Sequence, residues 1–149
     1  MPTVRPQPYG GFNFLVSIEG INPDGTEVGG TFTEVAGLTA TVGMIKYRAG
    51  ADLLWFTKLR GITEHDDLTL KYGTTGSVLF WNWILLAMEG RLEPVNGNVK
   101  LLDESRQPVM RWNFTDAWPT KYTGPSFNAA NNEFAVEEVQ IAYQTLEIV

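Results

Sequence analysis

Apolar and polar residues alternate along most of this chain with the period of two that a half-buried strand imposes. Between positions 12 and 19, Phe12, Phe14, Val16 and Ile18 point one way, and Leu15 alone interrupts the polar side. Asn22-Pro-Asp-Gly25 then reads as a turn, because Pro presets φ and Gly accepts a positive one. Gly30–Ala36 and Thr41–Tyr47 predict two more strands, broken near Gly37. Asp67–Tyr72 alternates again, with Leu68, Leu70 and Tyr72 on one face. Asn98–Asp103 and Gln107–Phe114 predict a hairpin turning at Glu104–Arg106, and Ala117–Phe127, with two prolines, predicts an irregular connection. The last segment sets Val139, Ile141 and Tyr143 against Glu138, Gln140, Ala142 and Gln144.

Two stretches break this rhythm. Ser77–Met88 predicts the one helix, capped by Thr75 or Ser77 and ended by Gly90. Trp81, Ile84, Leu85 and Met88 form one stripe on it, while Phe80, Trp83 and Ala87 cover much of the rest. A helix that is apolar all round must be buried all round, and one small β-rich chain can seldom enclose it. A second copy or another partner is the simplest cover. The other stretch, Ala49–Gly61, has no clean period and places Leu53, Leu54, Trp55 and Phe56 in a row. A long loop does not leave such residues in water; it either folds back on its own core or docks on another subunit. Residues 1–11, with three prolines and two glycines, read as an extended arm. The expected architecture is mainly β: two packed antiparallel sheets forming a small barrel or sandwich, flanked by one α-helix.

Length and charge narrow the function. At 149 residues the chain fits one domain, 1–149, able to bury a real core without metals or disulfides. It has no cysteine, which rules out a disulfide framework and a thiolate site and fits assembly in a reducing cytoplasm. The opening residues show no apolar core of a signal peptide, and the apolar run Val78–Met88 is too short to cross a bilayer, so no stable membrane insertion is expected. A formal charge of −6, from 17 acidic and 11 basic residues, disfavours specific nucleic-acid binding, which rests on cations neutralising phosphates.

Residues for catalysis are scarce. His65-Asp66-Asp67 offers one imidazole beside two carboxylates whose directions alternate on an extended segment, too few for zinc. With one His and no Cys, a nucleophilic triad lacks parts. Glu133, Glu137 and Glu138 are better read as solvated or interface groups than as a carboxylate pair, since Glu137 and Glu138 fall on opposite faces. Gly73-Thr-Thr-Gly-Ser77 lacks the lysine and spacing of a phosphate loop. No cofactor, metal or enzymatic activity is expected.

Read in order, the motifs Phe12-x-Phe14-x-Val16, Phe32-Thr-Glu34-Val-Ala-Gly37-Leu38, Tyr47-Arg48-Ala49-Gly50, Leu68-Thr-Leu70-Lys-Tyr-Gly73, Trp81-x-Trp83, Arg111-Trp112-x-Phe114, Trp118-Pro119-x-Lys121-Tyr122 and Asn132-Glu133-x-x-Val136-Glu137 carry a resemblance. The chain resembles the tail tube proteins of contractile phage tails and phage-like injection particles, relatives of the type VI secretion tube protein. The resemblance implies hexameric rings stacked into a tube inside a contractile sheath, with baseplate and initiator proteins as further partners and cargo passing through the lumen. It implies an extended loop from Tyr47 to Gly61 that touches neighbouring subunits. Tyr47, Arg48, Leu53, Leu54, Trp55, Phe56, Phe80, Trp81, Trp83 and Ile84 are the expected subunit contacts. Two departures stand out: Lys71-Tyr72-Gly73 where the family often has Lys-Arg-Gly, and Tyr143-Gln144 where it often has His-Glu. A tube-initiating or terminating ring protein of the same fold is the near alternative. A monomeric β-barrel holding a small apolar ligand is the alternative of another class.

Overall fold

The computed structural model describes residues 5–11, 13–19, 28–30, 32–48, 50, 54–74, 78–130 and 133–149. In chain order they form β1 (Phe14–Ile18), β2 (Val28–Gly30), β3 (Glu34–Ala36), β4 (Thr41–Tyr47), β5 (Thr57–Glu64), β6 (Leu68–Gly73), α1 (Leu79–Met88), β7 (Val95–Leu102), β8 (Pro108–Thr123), β9 (Val136–Ala142) and β10 (Thr145–Ile148). All pairings are antiparallel. The fold turns on β8, which is 16 residues long and belongs to two sheets. Its first half pairs with β7 and β10, leading on to β1 and β2; its second half pairs with β9, leading on to β6 and β3. Asp116, at φ 52, sits where the strand passes from one sheet to the other.

The predicted alternation becomes a shared core. Val16, Ile18, Val99 and Phe114 from one sheet meet Leu68, Leu70, Val139 and Ile141 from the other, all buried. Burial of such side chains contributes roughly 1.5–3 kcal/mol each. Phe32, Phe80 and Trp83 close one side as an aromatic stack: Phe32 lies 6.0 Å from Phe80, and Phe80 lies 6.4 Å from Trp83. The hairpin turn falls where expected, with Asp103 Oδ1 accepting from the backbone N–H of Ser105 and Gln107, both at 2.9 Å.

Several expectations are corrected. Gly30–Ala36 is not one strand: β2 and β3 lie at opposite ends of the sheet order. The segment 117–127 is irregular only from 124 onward, because β8 runs on through Pro119 to Thr123, with a register shift between Pro119 and Lys121 that absorbs the missing proline donor. The C-terminal strand is followed by a second, β10. The predicted loop 49–61 is shorter, since β5 starts at Thr57 and pairs with β4; no alternation announced it because neither face of β5 is buried by its own chain. The helix starts at Leu79 with Val78 as an N-cap that makes no side-chain hydrogen bond, so Ser77 is not the cap; Thr75 and Ser77 themselves lie outside the described residues. Its end is as expected: Gly90 has φ +73, and Arg91 N donates to Leu86 O at 3.0 Å. The turn at 22–25 lies outside the described residues.

One junction fixes where β4 and β5 leave the body. Gly37 has φ +102, and a Cβ there would stand 2.2 Å from Asp67 O. Tyr143 Oη donates to Gly37 O at 2.9 Å, His65 Nδ1 donates to Thr39 O at 2.8 Å, and Asp66 N donates to Thr39 Oγ1 at 2.9 Å. The chain departing at 37–39 and the chain returning at 65–67 are thus laced together, with the His65 and Tyr143 rings 5.3 Å apart. The arm is anchored as well. Arg5 forks onto Glu104 with contacts of 3.1 and 3.0 Å and stacks over Tyr9.

Gly37→Ala is expected to destabilise the fold by about 2–3 kcal/mol or more, from left-handed backbone strain plus the clash, and Tyr143→Phe by about 1 kcal/mol. Urea unfolding measures both, and a Gly37→Ala protein as stable as wild type contradicts the junction. The hydrogen bond from Arg5 holds the Glu104 carboxyl below its usual range. A depressed carboxylate contributes stability above its unfolded pKa and loses it as pH falls through the folded one. Proteolysis of the arm should therefore accelerate below about pH 4, and Glu104→Gln should give the same acceleration at pH 7.

Candidate subunit interface

The β4–β5 pair forms a two-stranded sheet of its own, with no ladder to the larger sheet among the described residues. Isolated two-stranded ribbons are at best marginally stable in water. This one is also apolar and uncovered: Val42, Met44, Ile45, Tyr47, Leu59 and Ile62 are all exposed, Ile62 to 79%. In the loop that joins the two strands, Leu54, Trp55 and Phe56 are 86%, 66% and 55% exposed. The cross-strand register sorts the ribbon into two faces. Ile45 opposes Leu59 and Tyr47 opposes Thr57 on one; Met44 opposes Arg60 and Lys46 opposes Lys58 on the other. The bulge that falls between Val42 and Met44 brings Gly43 so near Ile62 O that a Cβ would lie 2.8 Å away.

Helix α1 supplies the second surface. It packs on β8 and turns Phe80, Trp83 and Ile84 into the core. Its other side leaves Trp81, Leu85, Leu86 and Met88 exposed, Met88 to 63%. The single chain therefore covers one side of this helix and leaves the other exposed. Trp81 is held in place from below, with its ring 5.5 Å from Tyr122 in an edge-to-face contact. The phenols of Tyr72 and Tyr122 both lie near the Glu137 carboxylate. Burial first, and then Glu137, raises both phenols above their ordinary value, so both remain donors at neutral pH. Glu137 is itself buried, which corrects its reading as a solvated or interface group.

The expected contact residues thus separate. Tyr47, Arg48, Leu54, Trp55, Phe56 and Trp81 are exposed; Phe80, Trp83 and Ile84 face the chain's own core; Leu53 lies outside the described residues. Sequence reading missed the outer residues of the ribbon, Ile45, Leu59 and Ile62, and the loop aromatics Phe127 and Phe134, which are more than four-fifths exposed. No sequence signal marked Leu59 and Ile62, because β5 shows no strand period; Ile45 lay in the predicted strand Thr41–Tyr47. Among the described residues, no group of three or more His, Cys, Asp or Glu is placed to hold a metal. No described helix is long and apolar enough to cross a membrane. An apolar recess of about 240 Å³ opens between the sheets, lined in part by Phe14, Val35, Leu38 and Trp112.

Comparison with known proteins agrees along the whole length. The chain is similar to one in the sheath–tube complex of an extracellular contractile injection system, PVC, in its extended state. Identity is 26% and the TM-score 0.82, covering 97% of this chain and 93% of that one. It shares its fold with a chain of the six-fold symmetrised anti-feeding prophage baseplate, at 21% identity and a TM-score of 0.85, covering 97% of each. A chain of the anti-feeding prophage tube-terminating cap matches at 26% identity and a TM-score of 0.81, covering 100% of this chain and 95% of that one. No curated protein sequence matches. The family model of the T4-like virus tail tube protein gp19 matches residues 10–147. Two uncovered apolar surfaces on a β-sandwich, and a family match over nearly every residue, have one reading: the chain belongs to the T4-like virus tail tube protein gp19 family and is a structural tail tube subunit.

Proposed function

We propose that six copies of this chain close into a ring and that rings stack into the inner tube of a contractile tail or injection particle, assembled in the cytoplasm before the particle acts. The observation that carries this reading is the pair of exposed apolar surfaces, the β4–β5 ribbon and the outer side of α1. They differ in shape and composition and so cannot mate as one self-complementary patch. Contacts between unlike surfaces are heterologous; they close into rings or propagate as filaments. A tube of stacked rings uses both outcomes. Trp81, Leu85 and Met88 form one contact, and the ribbon with Tyr47, Arg48, Leu53, Leu54, Trp55 and Phe56 forms the other. Phe80, Trp83 and Ile84 act from beneath, by holding the helix.

The six-fold symmetry of the similar baseplate supports the ring number, and the similar sheath–tube complex supports an enclosing sheath as partner. The edge strands β2 and β3, each paired on one side among the described residues, favour closure too, since a ring that joins sheets edge to edge leaves no free strand. The subunit's work is mechanical: it forms a stiff channel through which DNA or effector cargo passes, and it performs no chemistry. A ring that ends the tube is the second reading, favoured by the similarity to the tube-terminating cap. Unlimited self-polymerisation separates the two, because a terminator stops after one ring.

Concentrated protein is expected to form six-fold rings or open tubes by negative-stain electron microscopy, with light scattering giving ring multiples of the chain mass. Met88→Ser and Trp55→Ser, both at well-exposed sites, should keep the monomer's stability within about 0.5 kcal/mol and yet abolish or sharply weaken assembly. Trp81→Ala should do the same to assembly while costing the monomer about 1 kcal/mol through its lost contact with Tyr122. Wild-type protein that stays monomeric even when seeded with baseplate or preformed rings overturns the reading.

A further inference from the structure

The β4–β5 ribbon carries a charge pattern opposite to that of the rest of the molecule. Residues 41–64 hold four cations, Lys46, Arg48, Lys58 and Arg60, against two anions, Asp52 and Glu64, for a net +2. The chain totals −6, so everything outside this segment carries −8. The cations are also sorted by face. Lys46 stands directly opposite Lys58, and Arg60 lies two residues along β5 on the same side, opposite Met44. Arg48, one step beyond Tyr47, reaches over the Phe56 ring at 6.0 Å. The opposite face presents Ile45, Tyr47 and Leu59.

Like charges placed directly across a strand pair destabilise it. The ribbon has no third strand to offset that cost, and Lys46, Lys58 and Arg60 make no ion pair among the described residues. Such a face becomes favourable only against an anionic surface. We propose that this surface is the acidic body of a second copy of the chain, so that the cationic face of the ribbon is an electrostatic latch between subunits. Its apolar face adds hydrophobic burial, and its cations supply direction: a positive ribbon is repelled by other ribbons and attracted by the net-negative body of a neighbouring subunit. The inference rests on the tube reading and adds the chemistry of one contact within it. Charge complementarity selects this occupant over a nucleic acid, because the −8 of the remaining chain repels a polyanion brought to the ribbon.

The test follows ring or tube growth by light scattering across salt, for wild type, Lys46→Gln/Lys58→Gln and Lys46→Glu/Lys58→Glu, with circular dichroism and thermal melts of the dispersed proteins as folding controls. Between about 0.05 and 1 M NaCl the Debye length shrinks from more than 10 Å to about 3 Å, so wild-type growth should slow on the order of tenfold. Purely apolar docking is not weakened by salt. The glutamine variant should grow with a much flatter salt dependence, and the glutamate variant should remain dispersed at every salt concentration while melting no lower than wild type. Wild-type growth that ignores salt, or a glutamate variant that assembles like wild type, overturns the latch and leaves the tube reading standing. Wild type that never self-associates overturns both. If the glutamate variant assembles normally but loses wild-type retention of duplex DNA on a filter, the ribbon is a nucleic-acid contact and the proposal is wrong.

Discussion

Everything else in this fold depends on β8 serving two sheets. Pro108–Thr115 completes one ladder with β7 and β10, and Trp118–Thr123 completes another with β9, with the left-handed Asp116 between them. Because one covalent strand joins both ladders, their inner faces meet at a fixed angle, and Val16, Ile18 and Phe114 find Leu70, Val139 and Ile141. The same strand supports α1, and beside it Asp67 accepts a hydrogen bond from Thr120 at 3.2 Å next to the root of the ribbon. Core, helix and ribbon take their positions from a single element.

From that frame the chain divides its apolar residues between two purposes. Those with a period of two on β1, β6 and β9 are buried by the chain itself. Those on β4, β5 and the outer side of α1 are not, and the junction of Gly37, Tyr143, His65 and Thr39 holds the ribbon out from the body. In the proposed tube, the free energy lost by exposing these side chains in the single subunit is regained when a neighbour covers them. Such a tube couples folding to assembly at the ribbon, which has cross-strand hydrogen bonds but little packing of its own.

Much of this was legible in the sequence, for definite reasons. Strands that bury one face on their own core announce themselves by alternation, as Phe14–Ile18 and Val136–Ala142 do. Leu79–Met88 was legible as a helix because its apolar residues follow no strand period. β5 was not legible: Thr57–Glu64 is buried on neither face by this chain, so no core imposes a period of two on it. Pro119 hid the second half of β8, because the bulge that accommodates a proline cannot be seen before the register is known. The helix was read as one that its own chain could not enclose, and its outer side is exposed, yet which of its tryptophans faces out depended on the tyrosines beneath it. Trp83 closes the core, whereas Trp81 rests on Tyr122, near a buried glutamate that the sequence suggested was solvated or at an interface.

The central claim is that the ribbon and the outer side of α1 are surfaces left for other subunits. Amide hydrogen exchange, compared between dispersed and assembled protein, tests it most directly. The account predicts that amides of Thr41–Tyr47 and Thr57–Glu64 exchange rapidly in the dispersed subunit and become strongly protected on assembly, while those of β6 and β9 are protected in both. Ribbon amides already as protected in the dispersed subunit as those of β9, and unchanged by assembly, would contradict it.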